Sequence, residues 1–141
     1  MRIGQLAARA GCGADTVRYY ERAGLLAPPQ RHANGYRRYA EAHLERLAFI
    51  RRCRSLDMSL PEIRMLLAAM ERPEADCDPV NALIDAHIVH VAARIEELKR
   101  LKAELDAIRA YCCGAKDVKS CGILASLARP ARAGARAAGK L

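Results

Sequence analysis

The sequence predicts a mainly α-helical protein, made of a winged helix-turn-helix domain, a long coiled-coil helix and a short C-terminal loop with a final helix. Apolar residues recur three and four positions apart over most of the 141 residues. One such repeat runs unbroken from residue 79 to residue 111, longer than a typical globular helix. No apolar run reaches the ~18 residues that a membrane span requires, and the start lacks the apolar stretch of a signal peptide. We therefore expect a cytoplasmic protein.

Two short helices, each followed by a glycine, begin the chain. Gly11 is expected to end the first helix. The second covers about residues 14–23, with Asp15 in its first turn, and Gly24 follows it in the left-handed conformation that glycine adopts without strain. Two short helices separated by such a turn predict a helix-turn-helix.

A small basic hairpin is predicted next. Asn34-Gly35 is the strongest short hairpin signal, and residues 36–39, Tyr-Arg-Arg-Tyr, supply the return strand. This hairpin would form the wing of a winged helix-turn-helix.

Two further helices complete the predicted DNA-binding domain, residues 1–72. One covers about residues 41–54. The other follows Ser59, because Ser59-Leu60-Pro61-Glu62 is a capping box with proline in the first turn. We expect this last helix to bury Ile63, Leu66, Leu67 and Met70.

The long helix, residues 79–111, is predicted to be a dimerisation helix. Asp78 is expected as its N-cap and Pro79 as its first residue. Its apolar positions advance by an average close to 3.5, the period of a coiled coil. A single stripe needs a partner, either the chain's own N-terminal domain or, as we expect, an antiparallel second copy. The stripe comprises Ile84, Ile88, Val91, Ile95, Leu98, Leu101, Leu105 and Ile108.

The net charge of +8 is unevenly distributed. Residues 1–54 hold eleven arginines against four acids, residues 55–128 have a net charge of −3, and residues 129–141 have four bases and no acid. A basic N-terminal third with interspersed tyrosines suits DNA, although a solvated basic face would have the same composition. The tail, residues 129–141, is expected to be disordered.

Six cysteines in a cytosolic chain indicate metal or redox chemistry before disulfides. Cys12 and Cys53 are expected to be packing residues. Three others flank the loop within residues 112–128, and one precedes the long helix; together they are Cys112, Cys113, Cys121 and Cys77. Thiolates that converge on a soft divalent ion would need such a loop, but a redox pair would have the same spacing.

Helix length restricts which cysteines can meet. Residues 79–111 span roughly 50 Å as a helix, so that Cys77 and Cys112 of one chain lie at opposite ends. In an antiparallel dimer, Cys77 of one subunit would fall beside the Cys112–Cys121 loop of the other.

The sequence resembles the MerR family of metal-responsive transcription regulators over residues 1 to about 128. The resemblance is strongest with the lead- and cadmium-responsive branch, the PbrR- and CadR-like regulators. It is carried by residues 16–21 (Thr-Val-Arg-Tyr-Tyr-Glu), Gly24-Leu25, the wing residues 35–39, the long helix and the cysteine loop.

This resemblance implies a homodimer that binds promoter DNA, acts with RNA polymerase as activator and repressor, and distorts an overlong promoter spacer when metal binds. It also implies that Cys77 of the partner subunit binds the ion together with Cys112 and Cys121. Cys113 is an alternative ligand. Nothing in the sequence indicates an enzyme.

The ligand set favours Pb(II), with Cd(II) close behind. Copper(I) sensors resembling this chain lack the cysteine at position 77, and zinc sensors place a histidine in the loop, whereas residues 114–120 contain none. Three thiolates suit large soft ions better than Zn(II), although Zn(II) and Hg(II) stay candidates. His87 and His90 share a helix face, but flanking positions of a coiled coil explain them as well. The tail lacks the histidines with which some cadmium sensors build a second site.

The predicted DNA contacts lie on the second helix, on the wing and after it. Tyr20 is in this set although we expect its ring to pack inward. The full set is Thr16, Arg18, Tyr19, Tyr20, Tyr36, Arg37, Arg52 and Arg54.

Two other hypotheses are a redox-sensing regulator that uses the loop cysteines and a metal buffer or chaperone whose basic N-terminus is incidental.

Overall fold

A computed structural model describes residues 1–31, 37–112, 114 and 117–130 and confirms the mainly helical architecture. The chain divides into two compact units, Met1–Leu83 and Ile84–Leu141. In the first unit the elements are α1 (Ile3–Ala10), α2 (Ala14–Arg22), β1 (Gln30–Arg31), β2 (Arg37–Arg38), α3 (Glu41–Ser55) and α4 (Leu60–Met70). Helix α5 (Asp78–Arg109) begins in the first unit and continues into the second, where a 3₁₀ turn (Val118–Ser120) and α6 (Gly122–Leu127) follow.

The predicted ends of the first helices are confirmed by their backbone geometry. Gly11 has φ 75° and Gly24 has φ 76°, both in the left-handed region that glycine occupies without a steric penalty. The capping box of α4 is also present. The Glu62 N–H donates to Ser59 Oγ over 3.3 Å, and the Ser59 N–H donates to Glu62 Oε1 over 2.9 Å.

An apolar core holds the first unit together, and it contains Ile63, Leu66 and Leu67 of α4, as the helical spacing predicted. Met70, the fourth side chain predicted to be buried in α4, is instead 58% exposed. It is the last residue of α4. The largest fully buried side chains are Leu6, Val17, Leu25, Leu26, Leu47, Ile50 and Ile63.

The hairpin is a two-stranded antiparallel sheet in which Gln30 pairs with Arg38 and Arg31 with Arg37. The predicted turn at Asn34-Gly35 lies outside the described residues. Tyr39 departs from its predicted place in the return strand, because the strand ends at Arg38 and the Tyr39 ring is buried in the core.

Helix α5 is continuous over 32 residues, and none of its residues is buried. Most of the predicted apolar stripe is exposed in the single chain, including Ile88, Ile95 and Leu105. Ile84, Leu101 and Ile108 are half-buried. Ion pairs within the helix, such as Lys102 Nζ to Asp106 at 2.8 Å, accompany the stripe. In the described part of the chain, no helix is long and apolar enough to cross a membrane.

The start of α5 differs from the prediction by one residue. Asp78 is the first helical residue and not the N-cap. The Cys77 carbonyl accepts the first helical bond, from the Asn81 N–H at 3.0 Å, while the Asp78 N–H donates to Asp76 Oδ1 at 3.0 Å. Cys77 therefore occupies the capping position, and Asp76 supplies the side-chain acceptor.

Candidate DNA-binding face and metal-ligating cysteines

Helix α2 presents one face to the core and the other to solvent. Val17 and Tyr20 are buried, which leaves Arg18, Tyr19 and Arg22 exposed. Tyr19 is 46% exposed. The helix is thus held by its apolar side while a basic and aromatic side is offered outward, as in a recognition helix that enters a groove of DNA.

The Arg18 guanidinium forms an ion pair with Asp15, three residues earlier, over 3.0 Å. Both side chains are substantially exposed, so the pair is screened by water and contributes little to stability. A DNA phosphate could therefore replace the carboxylate at small cost.

Tyr20 is only 6% exposed, which confirms that its ring packs inward and argues against its inclusion among the DNA contacts. Its ring lies 5.3 Å from that of Tyr19, centroid to centroid, with a tilt of 55°. The buried Tyr20 ring thus packs against the exposed Tyr19 ring. Thr16 is half-buried on the same helix.

The second strand of the hairpin is connected to α2 through its following residue. The Tyr39 hydroxyl donates to the Glu21 carboxylate of α2. The Tyr39 N–H also donates to the Met1 carbonyl over 2.7 Å. Of the predicted wing contacts, Arg37 lies in β2 and Tyr36 lies outside the described residues.

Several arginines of α3 and α4 bind backbone carbonyls in the same unit. Arg46 Nε donates to the Leu25 carbonyl over 2.6 Å, and Arg64 donates to that of Ala23 over 2.7 Å. These acceptors follow the C-terminus of α2, where unpaired carbonyls and the helix dipole favour a cation.

Two more arginines have similar roles. Arg51 donates to the Ala10 carbonyl at the end of α1. Arg54, a predicted DNA contact, donates to the Met58 carbonyl over 2.8 Å, so part of its hydrogen-bonding capacity is used within the fold. Arg52, also predicted, is exposed on α3.

The two cysteines expected to be packing residues differ in burial. Cys53 is 5% exposed, and burial raises the pKa of its thiol, which keeps the thiol protonated and inert. Cys12 is half-buried beside the turn between α1 and α2.

Cys77 is exposed at the beginning of α5, where its sulfur has polar neighbours. The Asn81 side-chain amide donates to Cys77 Sγ over 3.9 Å. One oxygen of Asp76, one of Asp78 and the sulfur all lie within 4.8 Å of one another. Sequence spacing had identified the thiol but not this amide donor, which becomes visible only when residue 77 is placed one helical turn before residue 81.

Cys112 is exposed just beyond the C-terminus of α5. The Gly114 N–H donates to its sulfur, and the Arg109 guanidinium lies nearby; both interactions lower the pKa of the Cys112 thiol. A lowered pKa favours the thiolate, which is the form that binds metal.

Cys121 caps α6 and is half-buried. The next residue, Gly122, lies against the Tyr111 backbone, so that the loop returns to its own starting point. The neighbours of Cys112 and Cys121 are thereby brought into contact. Cys113 lies outside the described residues.

The two histidines of α5 provide no comparable group. His87 is half-buried and His90 is exposed. Among the described residues, neither belongs to a group of three metal-binding side chains within reach of one ion.

Two protein-family models match the chain, one within the first unit and one across both units. The model of the MerR helix-turn-helix family of regulatory proteins matches residues 1–70, and the model described as "MerR, DNA binding" matches residues 44–108. The chain belongs to the MerR family. MerR-family regulators are homodimers that bind promoter DNA, and the relatives of this chain are transcription regulators and not enzymes.

Three relatives illustrate the match. The chain is 45% identical over 109 residues to a ZntR homologue from Haemophilus influenzae, covering 77% of this MerR-family chain and 81% of that protein. The structure of PbrR691 from Ralstonia metallidurans CH34 in complex with lead(II) has 52% identity and a TM-score of 0.76, over 91% of this chain and 99% of that one. The mercury(II) complex of MerR from Bacillus megaterium MB1 has 35% identity and a TM-score of 0.66, over 92% and 100%.

Proposed function

We propose that this MerR-family regulator senses Pb(II), with Cd(II) as the next candidate, and activates heavy-metal resistance genes from promoter DNA. The observation that carries the proposal is the position of three accessible thiols at the two ends of α5. Cys77 is exposed at one end of α5, and Cys112 and Cys121 are exposed and half-buried at the loop that follows its other end. The 52% identity to the lead(II)-bound PbrR691 supports the same choice of metal.

The donor set fits a large soft ion. Sulfur ligands select soft metals, and the loop residues 114–120 provide no histidine nitrogen. The lowered pKa of Cys112 reduces the proton competition that metal binding must overcome at neutral pH. The chemistry that the ion would supply is a set of bonds to thiolates and no catalysis.

The arrangement requires two chains. At about 1.5 Å per residue, the 32 residues of α5 extend about 48 Å, so that thiols beyond its two ends cannot share an ion within one chain. We propose that α5 pairs with a second copy in antiparallel orientation through its exposed apolar stripe. Cys77 of one subunit would then join Cys112 and Cys121 of the other.

The response to metal is a coupling between two sites. The ion can shift the dimer between a repressing and an activating state only by as much as it binds one state more tightly. We propose that the activating state untwists and bends an overlong promoter spacer. Because the target is promoter DNA, the protein would act in the cytoplasm.

In vitro transcription from the chain's own promoter tests the proposal. We expect activation by Pb(II) and Cd(II), weaker activation by Zn(II), and none by Cu(I). Cys77→Ser should abolish the response while DNA binding by the metal-free protein persists, and Cys12→Ser should behave like the wild type. Equal activation by Zn(II) and Pb(II) would refute the ligand argument, and loss of DNA binding by Cys77→Ser would refute the separation of the two sites.

A further inference from the structure

Gly122 lies against the backbone of Tyr111, at the neck of the loop that carries Cys112 and Cys121. A Cβ atom placed on Gly122 would lie 2.4 Å from the Tyr111 carbonyl oxygen, and 3.2 Å and 3.3 Å from its carbonyl carbon and Cβ. Real Cβ atoms essentially never approach another atom below 3.0 Å. The position therefore accepts only glycine unless the backbone moves.

This contact joins the two ends of the loop. Tyr111 directly precedes Cys112, and Gly122 directly follows Cys121. Because consecutive Cα atoms are about 3.8 Å apart, a close approach of these two neighbours limits how far the two cysteine backbones can separate.

Both sides of the neck are held by hydrogen bonds. The Tyr111 N–H donates to the Ile108 carbonyl over 3.1 Å, which continues the last turn of α5. On the other side, the Ala125 N–H donates to the Cys121 carbonyl over 3.1 Å, which begins α6. A side chain at position 122 would therefore displace one of two hydrogen-bonded turns, and not a flexible side chain.

We infer that Gly122 is a positioning residue of the metal site, because it lets the loop close far enough for Cys112 and Cys121 to reach one ion. The inference rests on the proposed function. Moving a Cβ atom from 2.4 Å to between 3.0 and 3.4 Å requires the neck to open by about 0.6 to 1.0 Å. Metal–ligand distances tolerate deviations of about 0.2 Å, so this opening is three to five times larger.

Helix propensity predicts the opposite result. Gly122 is the first residue of α6, its φ lies outside the left-handed region, and alanine is a better helix former than glycine. If only helix propensity acted here, Gly122→Ala would strengthen α6 and leave metal binding equal or better.

The test compares full-length, reduced wild-type protein with Gly122→Ala, Cys121→Ser and Gly4→Ala. Gly4 is the matched control because it is a helical glycine whose added Cβ would meet nothing within 4 Å. Lead(II) and zinc(II) affinities are measured by chelator competition, with thiolate-to-lead absorbance as the spectroscopic signature. DNA binding of the metal-free proteins is measured by fluorescence anisotropy.

For Gly122→Ala we expect a loss of lead(II) affinity of at least tenfold and a weaker absorbance band. The loss should be greater for zinc(II), whose bonds to sulfur are only about 2.3 Å, than for the larger ion. Metal-free DNA binding should stay unchanged, and Gly4→Ala should match the wild type. A general loss of folding would instead lower the affinity for both ions and for DNA together.

The outcomes separate this inference from the proposal on which it rests. If the wild type does not bind lead(II), or if Cys121→Ser binds it as the wild type does, the proposed function is overturned. If the wild type binds and Gly122→Ala binds equally well, only the role of Gly122 is overturned. Loss of DNA affinity in Gly122→Ala would also overturn that role, since the glycine would then serve the whole fold.

Discussion

Mixed dimers can show whether each proposed metal site is shared between two chains. In the first combination, one subunit carries Cys77→Ser and the other carries Cys112→Ser. If the sites are shared, this dimer keeps one complete site, made by Cys77 of the second subunit with Cys112 and Cys121 of the first. In the second combination, a subunit with both substitutions is paired with a wild-type subunit, and no complete shared site is left.

The expected ion counts follow from the length of α5, which separates the thiols at its two ends. Its 32 residues extend about 48 Å, whereas sulfur ligands at about 2.3 Å or slightly more from one ion lie within about 5 Å of each other. The nine steps from Cys112 to Cys121 cover at most about 32 Å even when fully extended. A site within one chain would therefore require α5 to unfold.

The assay counts lead ions per dimer after purification through two different affinity tags. We expect two ions in the wild type, one in the first combination and none in the second or in either variant homodimer. The affinity of those homodimers should fall by more than the 10–100-fold that loss of a supporting residue around a metal typically costs. A count of none in the first combination and one in the second would refute the shared site, because a site within one chain predicts that result.

Three further predictions concern DNA binding, protonation and stability. Arg18→Ala should weaken DNA binding and reduce the slope of log affinity against log salt by about 1, measured by anisotropy; an unchanged slope would mean that Arg18 does not contact a phosphate. Arg109→Ala should raise the lowered pKa of Cys112. On acidification, the rate of Cys112 alkylation, followed by peptide mass spectrometry, should therefore begin to fall at a higher pH than in the wild type. An identical profile would leave the hydrogen bond from Gly114 as the cause of the lowered pKa. Cys53→Ser should lower the free energy of unfolding by about 1–3 kcal/mol, because it places a hydroxyl in the apolar core where its hydrogen bonds to water are lost. The number of lead ions bound per dimer should stay unchanged, and a changed number would contradict the packing role of Cys53.

Features set by a few neighbouring residues were predictable from the sequence. The capping box at Ser59 and the left-handed glycines at positions 11 and 24 depend on residues at most a few positions apart, and the structure has them as predicted. The long helix was predictable for the same reason, because its period is local, although its last residue is Arg109 and not residue 111. Its first residue was misplaced by one because Asp76, and not Asp78, provides the side-chain acceptor.

Features that depend on distant residues were not predictable. Arg64 and the Ala23 carbonyl are 41 residues apart, so their hydrogen bond leaves no local pattern. The local sequence of Tyr39 predicts a strand residue, but its ring is buried in the core and its hydroxyl donates to the Glu21 carboxylate. In the loop between Cys112 and Cys121, cysteine spacing identified the candidate ligands, whereas the proposed role of Gly122 depends on where the Tyr111 carbonyl lies.

Several arginines of the first unit form hydrogen bonds within the fold, so its positive charge does not consist only of side chains available to DNA. Arginines 46, 51, 54 and 64 all donate to backbone carbonyls, and the carbonyls bound by Arg46, Arg51 and Arg64 lie at or just beyond the ends of α1 and α2. The charges of Arg51, Arg54 and Arg64 still raise the potential that attracts a polyanion, because a hydrogen bond to a neutral carbonyl does not neutralise a guanidinium. Arg46 differs, because its guanidinium is also paired with the Glu71 carboxylate over 3.4 Å. Arg46 and Arg64 therefore hold the C-terminal end of α2 in place, and we expect the direct contacts with DNA to be made by exposed residues such as Arg18 and Tyr19. Arg46→Lys would keep the positive charge and weaken the hold on α2, because lysine lacks the planar fork of donors that reaches both the Leu25 carbonyl and the Glu71 carboxylate.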